Sequence, residues 1–287
     1  MTYKVLIVGL GFVGNAMYNS FKNKSLKEDI ELFGYDKFKD GGIGNLDSAF
    51  TCDIIFLALP TPFNEEKFCY EITAIVEWCE ILSNQNYSGA IVIKSTIEPE
   101  TTNKLSDKFP NLHFIHNPEF LTAKTSYEDF HNQKHIVLGR GINCNSTNFE
   151  LVESFYKTYY PDAEISQCSS LESESMKIFC NSFYAVKVQF FTELYLLTKS
   201  NGSNYKKIID LMLKNNWINP MHTVVPGPDG SISYGGLCFP KDTNALNKYM
   251  DTKNTPNQIL SACIKERNSM RDDNLNIIKK KSYKNII

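Results

Sequence analysis

The chain has 287 residues, of which 42% are hydrophobic and 22% are charged. This length allows one large domain or two small ones with cores that fold unaided, and the composition excludes a disordered or fibrous protein. Thirty Lys and Arg residues against 32 Asp and Glu residues give a formal charge of -2. A global basic surface is therefore excluded, and we expect no nucleic acid partner.

The longest apolar runs, such as residues 54–59, are far shorter than the roughly 20 residues that a membrane span needs. Residues 1–14 have no signal-peptide layout, so we expect a cytoplasmic protein without a membrane partner. The eight cysteines contain no C-x-x-C pair, and the five histidines share no ligand spacing with cysteines or carboxylates. We therefore predict no metal site, and we expect most of the cysteines to be small buried hydrophobes.

The first functional pattern follows an apolar run at residues 4–8, which is typical of a buried strand. Residues 9–14, Gly-Leu-Gly-Phe-Val-Gly, come next in the G-x-G-x-x-G spacing. The first glycine permits a tight turn, the second lets backbone approach a pyrophosphate, and the third lets a helix pack on the strand. A dinucleotide is therefore expected at the start of this helix. Its predicted contacts are Gly9, Gly11, Phe12, Val13 and Gly14.

A second apolar run, residues 30–35, ends at Asp36, which lies 22 residues after Gly14. An acid at this distance accepts hydrogen bonds from the adenosine ribose and repels a 2′-phosphate. The sequence therefore predicts NAD as the cofactor rather than NADP. The neighbouring Lys37, also expected to contact the cofactor, is the feature here that favours a 2′-phosphate.

Further apolar runs at residues 53–59, 90–94 and 135–139 alternate with helical or mixed stretches such as residues 71–82. This alternation predicts an α/β fold with a Rossmann-like, doubly wound parallel sheet. Ligands of such sheets lie beyond the carboxyl ends of the strands. The residues that follow the third and fourth strands are therefore predicted to face the cofactor: Pro60, Thr61, Ser95 and Thr96.

After about residue 165 the pattern changes to helices. Ser169 and Glu172 form a capping box for a long helix that Gly202 ends. With about 30 residues the helix is roughly 45 Å long, enough to run between two domains and to support a homodimer. We predict an NAD-binding domain at residues 1–168. This central helix and a smaller all-helical domain for dimerisation and substrate binding follow at residues 169–287.

The densest group of reactive side chains lies in residues 233–242, Ser-Tyr-Gly-Gly-Leu-Cys-Phe-Pro-Lys-Asp. If Asp242 caps the helix that follows, Cys238 lies just before its amino terminus. The helix dipole and Lys241 then favour the thiolate, which attacks aldehydes well. From spacing alone, an inert packed cysteine remains the alternative.

Six motifs, in this order along the chain, resemble the nucleotide-sugar dehydrogenase family. They are residues 9–14, 59–62 (Leu-Pro-Thr-Pro), 94–96 (Lys-Ser-Thr), 117–121 (Asn-Pro-Glu-Phe-Leu), 177–181 (Lys-x-x-x-Asn) and 235–242, the last nearly the family's catalytic-cysteine signature. The resemblance covers essentially the whole chain. It implies two successive hydride transfers from one primary alcohol to two NAD molecules, converting a nucleotide sugar such as UDP-glucose to its uronic acid.

The resemblance also implies a role for each matched residue. Cys238 takes up the intermediate aldehyde as a thiohemiacetal, which becomes a thioester, and hydrolysis releases the acid. Asp242, Glu119 and Thr96 lie near the water and the proton transfers. Partial burial after Pro118 would suit Glu119 to acid or base work.

The resemblance implies that Lys177 and Asn181 stabilise oxyanions. Their spacing agrees with this role, because residues four apart project from one helical face. The cofactor is implied to contact Lys241. The substrate is implied to contact Glu119, Phe120, Leu121, Lys177, Asn181, His222, Tyr234 and Gly235.

The chain departs from the family pattern in three ways. Ala123 stands where the family has a second glutamate, and His222 stands where it tends to have an arginine that reaches the substrate, so charge there becomes pH-dependent. Typical members also continue for roughly one further domain, which helps to hold the UDP portion. We expect residues 225–230 and Tyr234 to hold the substrate instead, unless another chain supplies this wall or the substrate is smaller.

Two other functions remain open. A two-electron hydroxy-acid or 6-phosphogluconate-type dehydrogenase would share the two-domain length and the Lys177-x-x-x-Asn181 pair yet need no cysteine. A weakly active NAD-binding protein that completes a partner would explain Ala123 and the length.

Overall fold

The structure is a computed structural model that describes residues 2–25, 29–67, 69–122, 124–271 and 273. The chain forms two compact units. Unit 1 comprises Met1–Pro62 and Tyr70–Lys177, and unit 2 comprises Phe63–Cys69 and Ile178–Ile287. The division at Lys177 falls inside a long helix, whereas the boundary expected from the sequence lies at residues 168 and 169, just before that helix. The expected boundary stays a prediction.

Both units contain helices, and most of the strands lie in unit 1. The strands are β1 (Tyr3–Val8), β2 (Ile30–Tyr35), β3 (Ile54–Leu57), β4 (Phe63–Asn64), β5 (Cys69–Tyr70), β6 (Ala90–Ile93), β7 (His113–His116), β8 (His135–Arg140) and β9 (Glu164–Ser169). The helices are α1 (Phe12–Lys24), α2 (Thr73–Asn84), α3 (Thr101–Lys108), α4 (Ser126–His131), α5 (Ser146–Tyr159), α6 (Ser170–Asn201), α7 (Tyr205–Leu213), α8 (Phe239–Thr252) and α9 (Gln258–Met270).

A seven-stranded sheet in the order β2-β1-β3-β6-β7-β8-β9 forms the centre of unit 1. Residues of β1 alternate between two apolar clusters. Val5 and Ile7 pack in the cluster that contains Phe21 and Phe155, whereas Leu6 and Val8 pack in the second cluster. The sheet is therefore covered on both faces, as a doubly wound α/β fold requires. The predicted fold class is confirmed.

The sheet is parallel except at one pair of strands. β8 runs antiparallel to β7, pairing Ile115 with Arg140 and His116 with Gly139, and β9 runs parallel to β8. The connection between β7 and β8 contains the six-residue helix α4, which is shorter than the helices that usually make parallel crossovers. The fully parallel sheet expected from the sequence is wrong at this point.

Two strands of the seven-stranded sheet were not expected from the sequence. β7 has histidine at both of its ends, and β9 is the largely polar Glu-Ile-Ser-Gln-Cys-Ser at the edge of the sheet. Neither gives the apolar run or strict alternation on which a sequence-based prediction rests. The runs at residues 4–8, 30–35, 54–57, 90–93 and 135–139 lie in strands as expected.

Helix α6 begins with the predicted capping box. Ser169 N donates to Glu172 Oε2 at 2.8 Å, and Glu172 N donates to Ser169 Oγ at 3.2 Å. Gly202 follows the helix with a φ of 72°. Helices α7, α8 and α9 follow in unit 2, which also includes the short segment of β4. Among the described residues, no helix is long and apolar enough to cross a membrane.

Candidate functional site

The glycine loop between β1 and α1 has the geometry that its spacing predicts. Gly9 has a φ of 86°, a region that favours glycine. A Cβ atom at Gly14 would overlap the carbonyl oxygen of Gly9, closer than the 3.0 Å that real Cβ atoms keep. Gly11 is the N-cap of α1, and a Cβ atom there would meet nothing within 4 Å among the described residues. Gly9 and Gly14 serve the turn and its packing, whereas Gly11 leaves room for a ligand.

The start of α1 fits a dinucleotide phosphate. No side chain among the described residues caps the helix at Gly11. The first N–H groups of a helix, here including those of Phe12 and Val13, have no partner within the helix itself. Backbone donors at the positive end of a helix dipole bind phosphate without any charged side chain. The residues present therefore fit NAD.

Asp36 follows β2 and supports the same loop. Its Oδ2 accepts a hydrogen bond from Leu10 N at 2.8 Å, and its Oδ1 accepts from Phe38 N and Lys39 N at 3.0 Å. Burial alone would raise the pKa of this carboxyl, but these N–H groups and the Lys39 ammonium outweigh it and hold the pKa below its usual range. The carboxylate thus stays charged, and its contact with the ribose stays a prediction.

Lys39 is a neighbour of the loop that the sequence did not single out. Its Nζ donates to Leu10 O at 2.9 Å, whereas the predicted Lys37 is exposed and lies over the Phe38 ring at 5.5 Å. No spacing rule distinguishes these two lysines, because the turn after Asp36 decides which one faces the glycine loop.

The polar residues after β3 and β6 join the ends of these two strands. Thr61 Oγ1 donates to Thr96 O at 2.7 Å, and Ser95 Oγ donates to Leu59 O at 2.7 Å. With Pro60, these residues lie beyond the carboxyl ends of paired parallel strands, where ligands bind in open sheets. Their contact with NAD stays a prediction.

Glu119 and Lys177 form a largely buried ion pair within unit 1. Lys177 Nζ lies 3.3 Å from Glu119 Oε1 and also donates to the carbonyl oxygen of Glu119. The ammonium lies 4.7 Å from the centre of the Phe120 ring, a favourable cation–π distance. Leu121 N donates to Glu119 Oε2 at 2.7 Å. Four predicted site residues are thus brought into direct contact, and the lysine is held rather than solvated.

Lys94 supports this pair from the interior of unit 1. Its Nζ donates to Asn117 Oδ1 at 2.9 Å, and Asn117 Nδ2 in turn donates to Val137 O at 2.7 Å. Burial lowers the pKa of Lys94 to about 7; the Glu119 carboxylate opposes this effect and the Lys177 ammonium adds to it. The ammonium of Lys94 therefore loses its proton more readily than that of an exposed lysine. The sequence signal for it was a lysine at the end of an apolar strand.

His116, next to Asn117, is also buried and was not expected to matter. Its Nδ1 lies 2.8 Å from Ser173 Oγ, while its Nε2 has no hydrogen-bond partner among the described residues. Burial lowers the pKa of His116 to about 3, and the Lys94 and Lys177 ammoniums contribute. The imidazole is therefore neutral at physiological pH.

Asn181 and Asp242 form a second polar cluster, within unit 2. Asn181 Nδ2 donates to Asp242 Oδ2 at 2.6 Å, and Lys241 Nζ donates to Asp242 Oδ1 at 2.6 Å. The side chain of Asp242 is fully buried. Both carboxylate oxygens are therefore held by donors, so the charge of Asp242 is compensated inside the protein.

Helix α8 begins earlier than the sequence predicted. It starts at Phe239 with Cys238 as its N-cap, and Asp242 lies inside the first turn. The expectation that Asp242 caps the helix is wrong, because Pro240 lies at the first turn, where its fixed φ and missing N–H are tolerated. Cys238 is therefore closer to the helix start than expected.

Cys238 differs from the other cysteines in its exposure. All eight cysteines lie in the described part of the chain, and Cys238 alone among them is exposed. Burial raises the pKa of Cys52 and Cys79 to about 12, and that of Cys144 and Cys263 to about 11. These four thiols are therefore unreactive at neutral pH, whereas the thiol of Cys238 is accessible at a helix N-terminus.

Tyr234 and His222, two residues of unit 2 that were predicted to bind substrate, have different surroundings. Tyr234 is 2% exposed and packs with Ala185 and Cys263, which argues against side-chain contact with a substrate. His222 has a φ of 68° and its ring lies 4.7 Å from the Tyr184 ring and 5.4 Å from the Phe239 ring.

Burial, and then the Lys187 ammonium, lower the pKa of His222, so its ring is uncharged at neutral pH. The sequence pattern did not single out Tyr184 or Lys187.

Ala123 lies outside the described residues. Among the described residues, no group of three or more His, Cys, Asp or Glu side chains could hold a metal ion.

Two sequence models of one family match the chain. The NAD binding domain of the UDP-glucose/GDP-mannose dehydrogenase family matches residues 45–160, and the central domain of that family matches residues 171–269. The chain belongs to the UDP-glucose/GDP-mannose dehydrogenase family. This finding confirms the resemblance and the cofactor, which is NAD. Because the first match begins at residue 45, the roles of the glycine loop and Asp36 depend on the geometry above.

Individual members of this family are similar to the chain in sequence and in structure. The chain is 26% identical to the UDP-glucose 6-dehydrogenase of Campylobacter jejuni, over 93% of the chain and 72% of that relative. It superimposes on a UDP-glucose dehydrogenase from Pyrobaculum islandicum with a TM-score of 0.78 and 21% identity, over 94% of the chain and 68% of that structure.

The fold is shared by a further solved structure. The 3-hydroxyisobutyrate dehydrogenase of Mycobacterium tuberculosis has the same fold, with a TM-score of 0.73 at 14% identity and 95% coverage of both chains. The chain spans about half the length of several other curated relatives that it matches, between 49% and 54%.

Proposed function

We propose that this chain catalyses the NAD-dependent, four-electron oxidation of a nucleotide sugar to its uronic acid, with UDP-glucose to UDP-glucuronate as the leading reaction. The observation that carries the proposal is Cys238, an exposed thiol at the N-cap of α8. A two-electron dehydrogenase has no use for such a thiol. The cytoplasm, where free thiols stay reduced, suits this chemistry.

The reaction has four balanced steps. The primary alcohol first loses a hydride and a proton and becomes an aldehyde. Cys238 Sγ then bonds to the aldehyde carbon while a proton goes to the carbonyl oxygen, giving a thiohemiacetal. Loss of a second hydride and a second proton gives a thioester. Water adds to the thioester carbon, the carbon–sulfur bond breaks, and the acid and the free thiol are released.

In this proposal the cofactor is bound by the glycine loop, the start of α1 and Asp36. The other proposed contacts are Pro60, Thr61, Ser95, Thr96 and Lys241. Bound NAD supplies a hydride acceptor for each of the two oxidations. Cys238 keeps the half-oxidised substrate covalently attached between them, so the aldehyde does not escape into water.

Glu119 and Lys177 are assigned to proton transfer and oxyanion stabilisation. Their salt bridge at 3.3 Å is almost out of contact with water, so the ammonium charge acts in a medium of low dielectric constant. Lys94 lies behind them with a pKa of about 7. A buried group that titrates near neutral pH suits the repeated proton release that the reaction requires.

Asn181 and Asp242 are assigned to the thioester steps. The amide of Asn181 is fixed by its 2.6 Å hydrogen bond to Asp242, so its orientation is set before substrate binds. Thr96 and Asp242 are assigned to the approach of water. Phe120, Leu121, His222 and Gly235 remain proposed substrate contacts, with residues 225–230 beside them.

The test of this function is the number of NADH molecules formed for each substrate molecule consumed. The purified chain is incubated with NAD and UDP-glucose or other nucleotide sugars, with absorbance for NADH and mass spectrometry for the acid. Two NADH and one uronic acid support the proposal. One NADH with a carbonyl product supports the two-electron alternative, whose fold is also that of the hydroxyisobutyrate enzyme. NAD binding without turnover supports a partner protein.

We propose in addition that the chain forms a homodimer through helix α6. Phe183, Phe190 and Leu197 recur every seven residues and are 63%, 52% and 57% exposed, and Phe179 lies one turn before them. Apolar residues at this spacing form one stripe along a helix, the pattern by which two helices pack together. A second copy of the same helix matches such a stripe.

Phe190→Glu is expected to weaken this dimer roughly 100-fold, because it places a charge in the middle of the stripe. Sedimentation equilibrium measures the dissociation constant. Leu211→Glu is the matched control, since Leu211 is 55% exposed on α7, outside the stripe. Equal dimerisation of both variants would reject α6 as the interface.

A further inference from the structure

Residues 229–236 lead directly into the helix that carries Cys238, and one arginine holds much of this loop. Arg271 Nη1 donates to Ile232 O and to Ser233 O, each at 3.2 Å. Its Nη2 donates to Asp229 Oδ2 at 2.5 Å. The side chain of Arg271 is only 9% exposed. A single buried guanidinium therefore fixes both ends of the turn from Asp229 to Ser233.

The same guanidinium lies against the backbone of Gly235. A Cβ atom at this position would overlap Nη2 and Cζ of Arg271. Gly236 follows with a φ of 80°, a conformation that side chains rarely adopt. Glycine is thus required at 235 for the approach of Arg271 and at 236 for the bend into α8. Such a glycine pair is flexible unless its surroundings hold it.

A second arginine on α9 completes the support. Arg267 Nε donates to Tyr234 O at 3.2 Å, and its Nη2 donates to Asp273 Oδ1 at 2.5 Å. Arg271 Nε donates to the other oxygen of this carboxylate at 2.9 Å. Asp273 thus bridges the two arginines, and three successive carbonyl oxygens, those of residues 232, 233 and 234, accept hydrogen bonds from α9 or the residue after it.

Helix α6 holds the loop from another direction. Ser233 N donates to Thr192 Oγ1 at 3.0 Å, and Ser233 Oγ donates to Gln189 Oε1 at 2.5 Å. Ser233 therefore has backbone and side-chain partners on α6 while its carbonyl oxygen is bound by Arg271. Cys238, five residues further on, is attached to a loop that two helices fix.

From these contacts we infer that Arg271 is the positioning residue of Cys238: its guanidinium holds residues 229–235 so that the thiol is presented at the start of α8. The inference rests on the proposed role of Cys238. A planar guanidinium donates in several directions at once, which the single ammonium of lysine cannot reproduce in the same plane. Arg271→Lys keeps the charge and therefore isolates the geometric contribution.

The test measures the reactivity of Cys238 itself, without substrate. Wild-type protein, Arg271→Lys and the single-contact variant Asp229→Asn are treated with iodoacetamide at pH 7, well below their melting temperatures. Peptide mass spectrometry then gives the alkylation rate at Cys238. We expect Arg271→Lys to change this rate at least about fivefold, and Asp229→Asn to change it in the same direction by less, because only one contact is lost.

Activity provides the second readout. For Arg271→Lys we expect kcat for acid formation to fall about ten- to hundredfold, while KM for NAD stays unchanged, because the cofactor loop is not altered. Arg140→Lys is the matched control, since Arg140 lies on β8 and contacts Cys144 O and Ser146 Oγ. It is expected to leave both readouts unchanged.

Wild-type alkylation rates in folded Arg271→Lys and Asp229→Asn would overturn the inference, even if the melting temperature falls. Should Arg271→Lys fail to fold, the alkylation rate of Asp229→Asn decides alone. Because alkylation needs no substrate, an altered rate upholds the positioning role even if no nucleotide sugar is oxidised. In that case only the proposed function fails.

Discussion

Cys238→Ser is expected to reduce formation of the uronic acid at least about 1,000-fold while leaving the affinity for NAD unchanged. The serine hydroxyl occupies nearly the same space at the N-cap of α8 but is not deprotonated at neutral pH, so it does not capture the aldehyde. We also expect the intact wild-type protein, quenched during turnover, to carry the mass of one covalently bound acyl group. The serine variant should lack this mass.

Cys168→Ser is the matched control for this experiment. Cys168 is half-buried on β9 in unit 1, and burial raises the pKa of its thiol. The control should therefore keep wild-type activity and show the same acyl adduct. Acid formation at the wild-type rate by Cys238→Ser would refute the thioester mechanism and leave the two-electron alternative in its place.

The second large effect concerns the glycine loop, where the same glycine-to-alanine change at two positions is expected to weaken NAD binding for different reasons. Gly14→Ala places a Cβ atom against the carbonyl oxygen of Gly9 and forces α1 away from β1. We expect a loss of about 3 kcal/mol in the free energy of unfolding, together with loss of NAD binding. Thermal unfolding and titration with NAD measure the two effects.

Gly11→Ala is expected to fold normally and still bind NAD at least about tenfold more weakly. The backbone of Gly11 has a φ of -72°, which alanine adopts readily, and its Cβ atom meets no described atom within 4 Å. The added methyl group therefore obstructs only a ligand that approaches the start of α1. Unchanged NAD affinity in Gly11→Ala would place the pyrophosphate elsewhere.

The local geometry of the proposed cofactor site could largely be predicted from the sequence. The glycine spacing, the acid after β2 and the polar residues after β3 and β6 depend on local order along the chain, and such order survives folding unchanged. Lys37 was expected beside the cofactor, but Lys39 is the lysine that contacts the glycine loop, because a turn of a few residues decides which side chain points inward. The sequence did not associate Lys94 with Glu119, since only the pairing of β6 with β7 brings these two segments together, and it gave no role to His116.

The catalytic half depended more on the resemblance than on the pattern. Spacing placed Cys238 near a helix start, but the helix begins earlier than expected, because Pro240 is favoured in the first turn of a helix. Arg267 and Arg271 gave no signal, since they follow Cys238 by about thirty residues and contact its loop only after α8 and α9 have packed.

The amino-acid order by itself determined the α/β class, the position and geometry of the glycine loop and the capping of α6. Each of these depends on the order of residues a few positions apart along the chain, and tertiary packing does not change that order. Only the tertiary structure decided the reversed direction of β8, the ion pair of Glu119 with Lys177 and the support of residues 229–236 by Arg271. These depend on which surfaces meet when distant segments bury their apolar area, and that is a property of the packed chain as a whole.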